Sequence, residues 1–188
     1  MADTTDGTGG SLAERIDRLD ALDQIRQLAS RYALALDTRN LDDMVALFVD
    51  DVRVGREGSG REELKRWFTQ SFSTFKTSIH FVGNHVIDFD DADHARGVVY
   101  CRDELDRGDD EWMVGVIQYW DAYVRRDGRW YFVRRRLMRW YAVDALSRPA
   151  HGADMTRKEG APHLTVGQLP DAWPSWDRFW QEVGQPQG

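Results

Sequence analysis

The residues with the clearest capacity for acid–base chemistry centre on a histidine, His80, inside the apolar run Ser78–His85. Imidazole changes its charge near neutral pH, so a histidine held in a pocket can take up or release a proton during a reaction. A buried polar group without a partner costs about 1–3 kcal/mol, so His80 needs a hydrogen-bond partner if this run is a buried strand. A backbone carbonyl as partner would make His80 a structural core residue, whereas an acidic side chain would make it a candidate general base.

An acidic partner for His80 is available in Asp37, where the first long helix is predicted to end. A carboxylate at a helix C-terminus faces the negative end of the helix dipole and gains nothing there. We therefore expect Asp37 to pair with a histidine from the sheet, although an aspartate at this place can also act only as a cap. The functional interpretation depends on contact between Asp37 and His80.

Two further side chains are candidates for the same site. Tyr32 lies on the apolar stripe of the first helix, and its position fits core packing and a catalytic role of its hydroxyl equally well. On an ideal helix Tyr32 and Asp37 point about 140° apart, so they converge only if Asp37 lies beyond the last regular turn. Arg139 stands alone between two apolar residues and is predicted to point into an aromatic-lined space, where it could hold a carboxylate or a departing anion.

The neighbouring polar residues are expected to be structural. In a regular strand His80 and His85 lie on opposite faces, so His85 is predicted to pack away from the site. Three arginines that precede Arg139 are expected to form salt bridges with acidic loops; they are Arg134, Arg135 and Arg136.

The spacing of apolar residues predicts three helices followed by four strands. Ser11 and Glu14 form a capping-box pattern before a long amphipathic helix that ends near Asp37. A short second helix through Phe48 and a third over 61–75 follow. Strands are predicted over Ser78–Phe89, Ala95–Leu105, Trp112–Val124 and Trp130–Tyr141. This order is typical of an α+β domain in which helices cover one face of a curved, mostly antiparallel sheet.

The chain divides into one domain with two tails. Residues 1–10 are rich in Gly, Thr and Asp and are predicted to be disordered, and residues 11–145 form the domain. Residues 146–188 form a tail whose aromatic residues share one face if 174–182 is a helix. We expect this tail to pack on a pocket mouth or on a neighbouring subunit.

Composition and motifs exclude several function classes. The formal net charge of -7 argues against nucleic acid as a partner. A single cysteine, Cys101, excludes an internal disulfide, and the five histidines lack metal-ligand spacing. The sequence contains no apolar run of membrane-spanning length, no secretory signal pattern and no nucleotide-binding loop. We therefore expect a cytoplasmic protein without metal or other cofactor, whose abundant aromatic residues suit a cavity or an oligomer interface.

Over about residues 11–145 the chain resembles the SnoaL-like branch of the nuclear transport factor 2-like superfamily. Within it, five segments look like those of the bile acid 7α-dehydratases and, more loosely, of the hexachlorocyclohexane dehydrochlorinases and scytalone dehydratases. They are 32–37, Ser78-Ile79-His80, Gly83-Asn84-His85, Asp127-Gly128-Arg129-Trp130-Tyr131 and Arg139-Trp140-Tyr141.

The resemblance implies a cone-shaped fold, a homotrimer (or a dimer) and a cofactor-independent lyase acting on a hydrophobic, polycyclic or steroid-like molecule. By the same resemblance, Asp37 and His80 would be the catalytic dyad, Tyr32 a hydroxyl donor and Arg139 the fourth polar residue of the pocket. Two alternatives remain open. One is an isomerase or cyclase that uses the same base. The other is a non-catalytic partner subunit like the β subunits of ring-hydroxylating dioxygenases, in which the Asp37–His80 pair would be exposed or far apart.

Overall fold

A long helix, α1 (Leu12–Asp37), begins the fold in the computed structural model, which describes residues 10–56, 58–108, 110–146, 168–169 and 172–183. The predicted capping box starts this helix. The Ser11 hydroxyl accepts a hydrogen bond from the Glu14 backbone N–H at 3.3 Å, and the Ser11 N–H donates to the Glu14 carboxylate at 2.6 Å. Asp37 is the last helical residue and therefore does not lie beyond the final turn.

Two shorter helices and a small hairpin follow α1. They are α2 (Leu41–Ala46), β1 (Arg53–Val54), β2 (Gly58–Ser59) and α3 (Arg61–Phe72). Asn40 caps α2 by accepting a hydrogen bond from the Asp43 backbone N–H. The second helix ends before Phe48, because the backbone around Phe48 bonds instead to Phe132, which lies in the last strand of the main sheet.

The four predicted strands form one antiparallel sheet in the order β3-β4-β5-β6. Their bounds are β3 (Thr77–Phe89), β4 (His94–Gly108), β5 (Glu111–Arg126) and β6 (Arg129–Asp144). The turn between β5 and β6 is the predicted Asp-Gly hairpin, in which Asp127 and Gly128 both have positive φ values, 51° and 75°. The predicted α+β architecture is confirmed.

The sheet curves around α1 without closing into a barrel. Helix α1 contacts both β3 and β6, the two outer strands, so the helices occupy the concave face. One extra residue interrupts the strand pairing between Val82 and His85 of β3. Strand β6 has two further bulges of one residue each, where it pairs with β5. Such bulges bend strands and change which face their side chains occupy.

The hydrophobic core lies between the helices and the concave face. Its largest fully buried side chains include Ile25 and Leu36 of α1, Met44 of α2, and Tyr123 and Phe132 of the sheet. The amphipathic pattern of the helices thus meets the apolar face of the strands, as the sequence predicts.

The described part of the C-terminal region contacts the sheet. Helix α4 (Pro174–Val183) follows Trp173, whose ring lies 4.7 Å from that of Trp120 on β5. Gln168 and Leu169 both donate backbone hydrogen bonds to the Arg139 carbonyl on β6, at 2.8 and 2.9 Å. Most of the predicted tail 146–188, and residues 1–9, lie outside the described residues. None of the described helices is long and apolar enough to span a membrane.

Replacing Phe132 by alanine tests the core. Its side chain is fully buried against Phe48, Tyr32 and Tyr123, so Phe132→Ala should lower the free energy of unfolding by about 3–5 kcal/mol. The adjacent Val133 is 39% exposed and provides the matched control, because Val133→Ala removes little buried surface. Urea denaturation measures both. Equal losses in the two variants would show that this face of β6 is not the core face.

Candidate functional site

A cavity of about 370 Å³ lies between the helices and the concave face of the sheet. This volume is in the range of small-molecule sites. Its wall is mainly apolar and aromatic, with side chains that include Leu36, Phe48, Leu64, Phe68, Phe72, Tyr119 and Leu137. Its polar lining residues are Tyr32, Arg53, His80, Asp103, Arg134, Arg135 and Arg139. Three larger depressions beside α1, of about 420, 560 and 830 Å³, have no histidine among their described lining residues.

The structure brings Asp37 and His80 into direct contact. The Nδ1 atom of His80 lies 2.6 Å from Asp37 Oδ1, and the His80 backbone N–H donates to Asp37 Oδ2 at 2.9 Å. The His80 side chain is only 4% exposed, whereas that of Asp37 is 23% exposed. Because Nδ1 is engaged by the carboxylate, Nε2 is the ring nitrogen left for the cavity that His80 lines.

The carboxylate of Asp37 is held in its ionised form. Burial raises the pKa of Asp37, but hydrogen bonds from the His80 ring and backbone and from Ser78 outweigh burial and lower the pKa below its usual value. The Ser78 hydroxyl donates to Asp37 Oδ1 at 3.1 Å. All three donors come from the first residues of β3, because alternation along a strand places Ser78 and His80 on the same face.

Arg39 secures this arrangement from the other side. Its guanidinium donates to the Ser78 hydroxyl and to the Leu36 carbonyl, both at 2.7 Å, and to the Phe75 carbonyl at 3.3 Å. The guanidinium carbon also lies 5.1 Å from the ring centre of Phe72, and that ring stacks with the His80 ring at a centroid distance of 6.5 Å. Arg39 has a positive φ of 59°, the left-handed conformation that turns the chain after α1. One arginine thus links the helix end to Ser78, which in turn donates to Asp37.

Tyr32 is placed with His80 rather than with Asp37. Because Asp37 belongs to the regular helix, the two residues point in different directions, and the cavity joins Tyr32 to His80 instead. The Tyr32 ring contacts four aromatic rings edge-on: Phe48, Phe68, Tyr119 and Phe132. Burial raises the pKa of Tyr32 well above its ordinary value, although Arg135 opposes the shift. Its hydroxyl therefore stays protonated and can donate a hydrogen bond.

Arg139 also lines the cavity, on the side of Asp103. Burial lowers the pKa of Arg139, and the charge of Asp103 opposes this effect. Its backbone is fixed on the outer edge of β6, where the Arg139 N–H donates to the Gln168 side chain at 2.8 Å. The predicted residues Tyr32, His80 and Arg139 thus meet in one cavity, with Asp37 directly behind His80.

Asp103 is a site residue that the sequence reasoning missed. It lies opposite His80 in the β3–β4 pairing and lines the same cavity. Burial raises the pKa of Asp103, while the charges of His80 and Arg139 act in the opposite sense. Its Oδ1 atom is buried without a hydrogen-bond partner among the described residues. A Cβ atom at Gly115 would clash with that oxygen, so this glycine leaves room for the carboxyl group.

A signal for Asp103 is present in the sequence. The residue shares its strand face with Cys101 and Val99, which are apolar and buried, but it stands in the charged run Arg102-Asp103-Glu104. That run has the appearance of a solvated strand end. Strict alternation along β4 places only the middle residue on the inner face.

Arg135 departs from the expected pairing with an acidic loop. Its guanidinium forms a buried ion pair with Asp121 of strand β5, at 2.7 Å, and both side chains are almost inaccessible to solvent. Burial lowers the pKa of Arg135, but Asp121 raises it by more, so the guanidinium stays charged. It lies 4.4 Å from the ring centre of Tyr32 and 4.1 Å from that of Tyr119. The cause is the bulge at Val133 of β6, which turns Arg135 towards the concave face.

The prediction that His85 lies on the opposite strand face from His80 is wrong. Gly83 and Asn84 lie opposite a single residue of β4, so the alternation shifts by one and His85 returns to the concave side. There its Nε2 atom lies 3.1 Å from the Tyr123 hydroxyl, which in turn donates to Asp121 at 2.9 Å. Burial lowers the pKa of His85 to about 4. His85 is therefore neutral at physiological pH and completes the network beneath Arg135.

The sequence and the fold of this protein both match known proteins. The sequence model of the SnoaL-like domain matches residues 17–136. The chain belongs to the SnoaL-like domain family. An uncharacterized protein of Mycobacterium tuberculosis is 30% identical over 118 residues, which cover 59% of this chain and 80% of that protein. The resemblance to the SnoaL-like branch is thus confirmed.

Solved structures show the same fold. A scytalone dehydratase-like protein from Novosphingobium aromaticivorans matches with a TM-score of 0.63 and 23% identity, over 77% of this chain and 99% of that one. A hexachlorocyclohexane dehydrochlorinase from Novosphingobium barchaimii matches with the same TM-score and identity, over 71% of this chain and 96% of that one. The SnoaL-like chain thus shares the architecture of both proteins.

Ser78→Ala tests the support of the Asp37 carboxylate. Removing one of its hydrogen bonds should raise the pKa of Asp37 towards its ordinary value, measured by carbon-13 NMR of the carboxyl group. The folded state depresses this pKa, so the Asp37 contacts stabilise the protein above the unfolded pKa, and the stabilisation is lost as the pH falls through the folded pKa. The variant should lose part of this acid-sensitive stability. Ser73→Ala, at the end of α3 and away from Asp37, is the control, and an unchanged Asp37 titration in Ser78→Ala would contradict the assignment.

Asp121→Asn tests the ion pair beneath Tyr32. Removing one partner leaves Arg135 buried and uncompensated, so the free energy of unfolding should fall by about 3–5 kcal/mol in a denaturant titration. The exposed pair between Asp51 and Arg126 offers a comparison, because Asp51→Asn should produce no measurable change. A wild-type stability for Asp121→Asn would show that Arg135 reaches solvent.

Proposed function

We propose that this SnoaL-like protein is a cofactor-independent lyase that eliminates water or another small leaving group from a hydrophobic molecule. The observation that carries the proposal is the buried contact between His80 and Asp37 at the wall of an apolar cavity. An ionised carboxylate bound to Nδ1 fixes the ring and increases the basicity of Nε2, the atom that faces the cavity. The names of the structural neighbours, a dehydratase and a dehydrochlorinase, describe eliminations and favour the same class.

The elimination would divide into two proton transfers. The Nε2 atom of His80 takes a proton from a substrate carbon next to an activating group, and the electron pair of that C–H bond forms the new double bond. The bond from the adjacent carbon to a hydroxyl group breaks, and the hydroxyl leaves as water after it receives a proton. Asp37 stabilises the imidazolium that forms.

Asp103 is the proton donor best suited to the leaving group. Its raised pKa favours the protonated acid, and it lies on the strand next to His80. Tyr32 and Arg139 would bind the departing oxygen, because one is a protonated hydroxyl and the other a cation in the same cavity. The three groups and His80 thus supply a base and an acid on adjoining parts of one apolar pocket.

The substrate proposed for this cavity is an apolar, polycyclic or steroid-like molecule. Aromatic and aliphatic side chains make up most of the wall, so binding would be driven by removal of apolar surface from water. The observed His80–Asp37 contact does not match the exposed or separated pair expected of a non-catalytic partner subunit. The homotrimer and the cytoplasmic location stay predictions.

A substrate screen with matched variants tests the proposal. Steroid-like and aromatic polyketide alcohols are incubated with the wild type, Asp37→Asn, His80→Ala and Asp103→Asn, and products are analysed by mass spectrometry. We expect loss of the mass of water with the wild type and a decrease of about 10²–10⁴ in kcat/KM for each variant, because each lacks one proton-transfer group or its support. Asp88→Asn, an exposed change on the same strand as His80, is the control and should retain activity.

The product mass and the melting temperature of each variant decide how the results of the screen are interpreted. A product of unchanged mass would assign an isomerase or cyclase to the same base. Equal turnover by the wild type and the Asp37 and His80 variants would overturn the dyad. Lost activity supports the catalytic role of a residue only where the melting temperature of the variant matches that of the wild type.

A further inference from the structure

The rim of the cavity differs in charge from its interior. Among the residues that line the cavity, those exposed to solvent are Arg53, Gly55, Trp67 and Arg134. Trp67 is 51% exposed and presents an aromatic surface beside the two arginines. Two guanidinium groups and an indole thus form the solvent-exposed part of the cavity lining.

Within the described part of the chain, no acidic side chain neutralises the charge of the two rim arginines. Inside the cavity, Arg135 is paired with Asp121, and Arg139 faces Asp103. Among the residues that the structure describes, no carboxylate forms a salt bridge with Arg53 or Arg134.

Three acids on the segments next to the rim have other partners. Asp50 pairs with Arg61, Asp51 with Arg126 and Glu63 with Arg66. This cationic rim belongs to a chain with a formal net charge of -7, so it opposes the average charge of the protein.

We propose that the substrate of this site carries an anionic group, a carboxylate, sulfonate or phosphate, which Arg53 and Arg134 bind at the rim while the apolar body enters the cavity. Guanidinium groups suit such oxyanions because their N–H donors match the oxygen atoms. The ionised Asp37 behind His80 would repel an anion from the His80 end of the cavity, which favours an orientation with the anionic group at the rim. The inference rests on the proposed function, since it takes this cavity as the catalytic site.

A matched pair of fluorescent probes tests the inference without a known substrate. 8-Anilinonaphthalene-1-sulfonate and uncharged N-phenyl-1-naphthylamine differ by one sulfonate group, and mutual displacement shows whether they share a site. We expect the wild type to bind the sulfonate about tenfold more tightly, an advantage that decreases with added salt. The double variant Arg53→Gln/Arg134→Gln should bind both probes equally, with unchanged affinity for the uncharged one.

A second double variant distinguishes the effect of the rim arginines on probe binding from the effect of the net charge of the protein. Arg15→Gln/Arg129→Gln removes the same charge from exposed positions outside the cavity lining and should retain the sulfonate preference. The inference is overturned if the wild type shows no preference, if the preference survives in Arg53→Gln/Arg134→Gln, or if the control variant loses it equally.

The same probes distinguish a failure of this inference from a failure of the proposed function. Asp37→Asn should lose turnover but keep the sulfonate preference. Asp37-dependent turnover without a sulfonate preference would overturn only the charge recognition. A sulfonate preference with turnover that is indifferent to Asp37→Asn would overturn only the mechanism.

Discussion

The arrangement of the site depends on one carboxylate at the end of a helix. Asp37 occupies a position where the helix dipole does not favour an anion, and three donors from the start of β3 compensate for this. The same hydrogen bonds attach α1 to the edge strand of the sheet and orient the imidazole of His80. Arg39 closes the arrangement by binding the helix end and Ser78 together. The fold and the chemistry of His80 therefore share a single junction.

Three carboxylates on the inner face of the fold show how environment separates their roles. Asp37 receives hydrogen bonds and stays ionised, whereas Asp103 has a buried oxygen without a described partner and a raised pKa. Asp121 is fully buried with Arg135 and supports the floor beneath Tyr32. A base supported by one carboxylate and an acid supplied by another is the division of labour that an elimination requires. The third carboxylate neutralises a cation that would otherwise be buried without a partner.

Periodicity alone was sufficient to predict most of the fold, because helices and strands each bury one face of their residues. The order of three helices and four strands follows from it, and the residue types of Ser11 and Glu14 predict the capping box. Contact between Asp37 and His80 could be predicted because each had a local reason to need a partner. The errors at His85 and Arg135 have one cause: bulges reverse the alternation, and their positions depend on pairing between strands. Asp103 was missed because neighbouring charges concealed which residue points inward.

The tautomer of His80 tests the proposed base most sharply, and nitrogen-15 NMR of the imidazole in the wild-type protein measures it. The contact with Asp37 predicts that the neutral ring carries its proton on Nδ1, where Asp37 accepts it, and leaves Nε2 free to take a proton from a substrate. A proton on Nε2 in the neutral ring would contradict this prediction, because His80 could then not act as the base that faces the cavity.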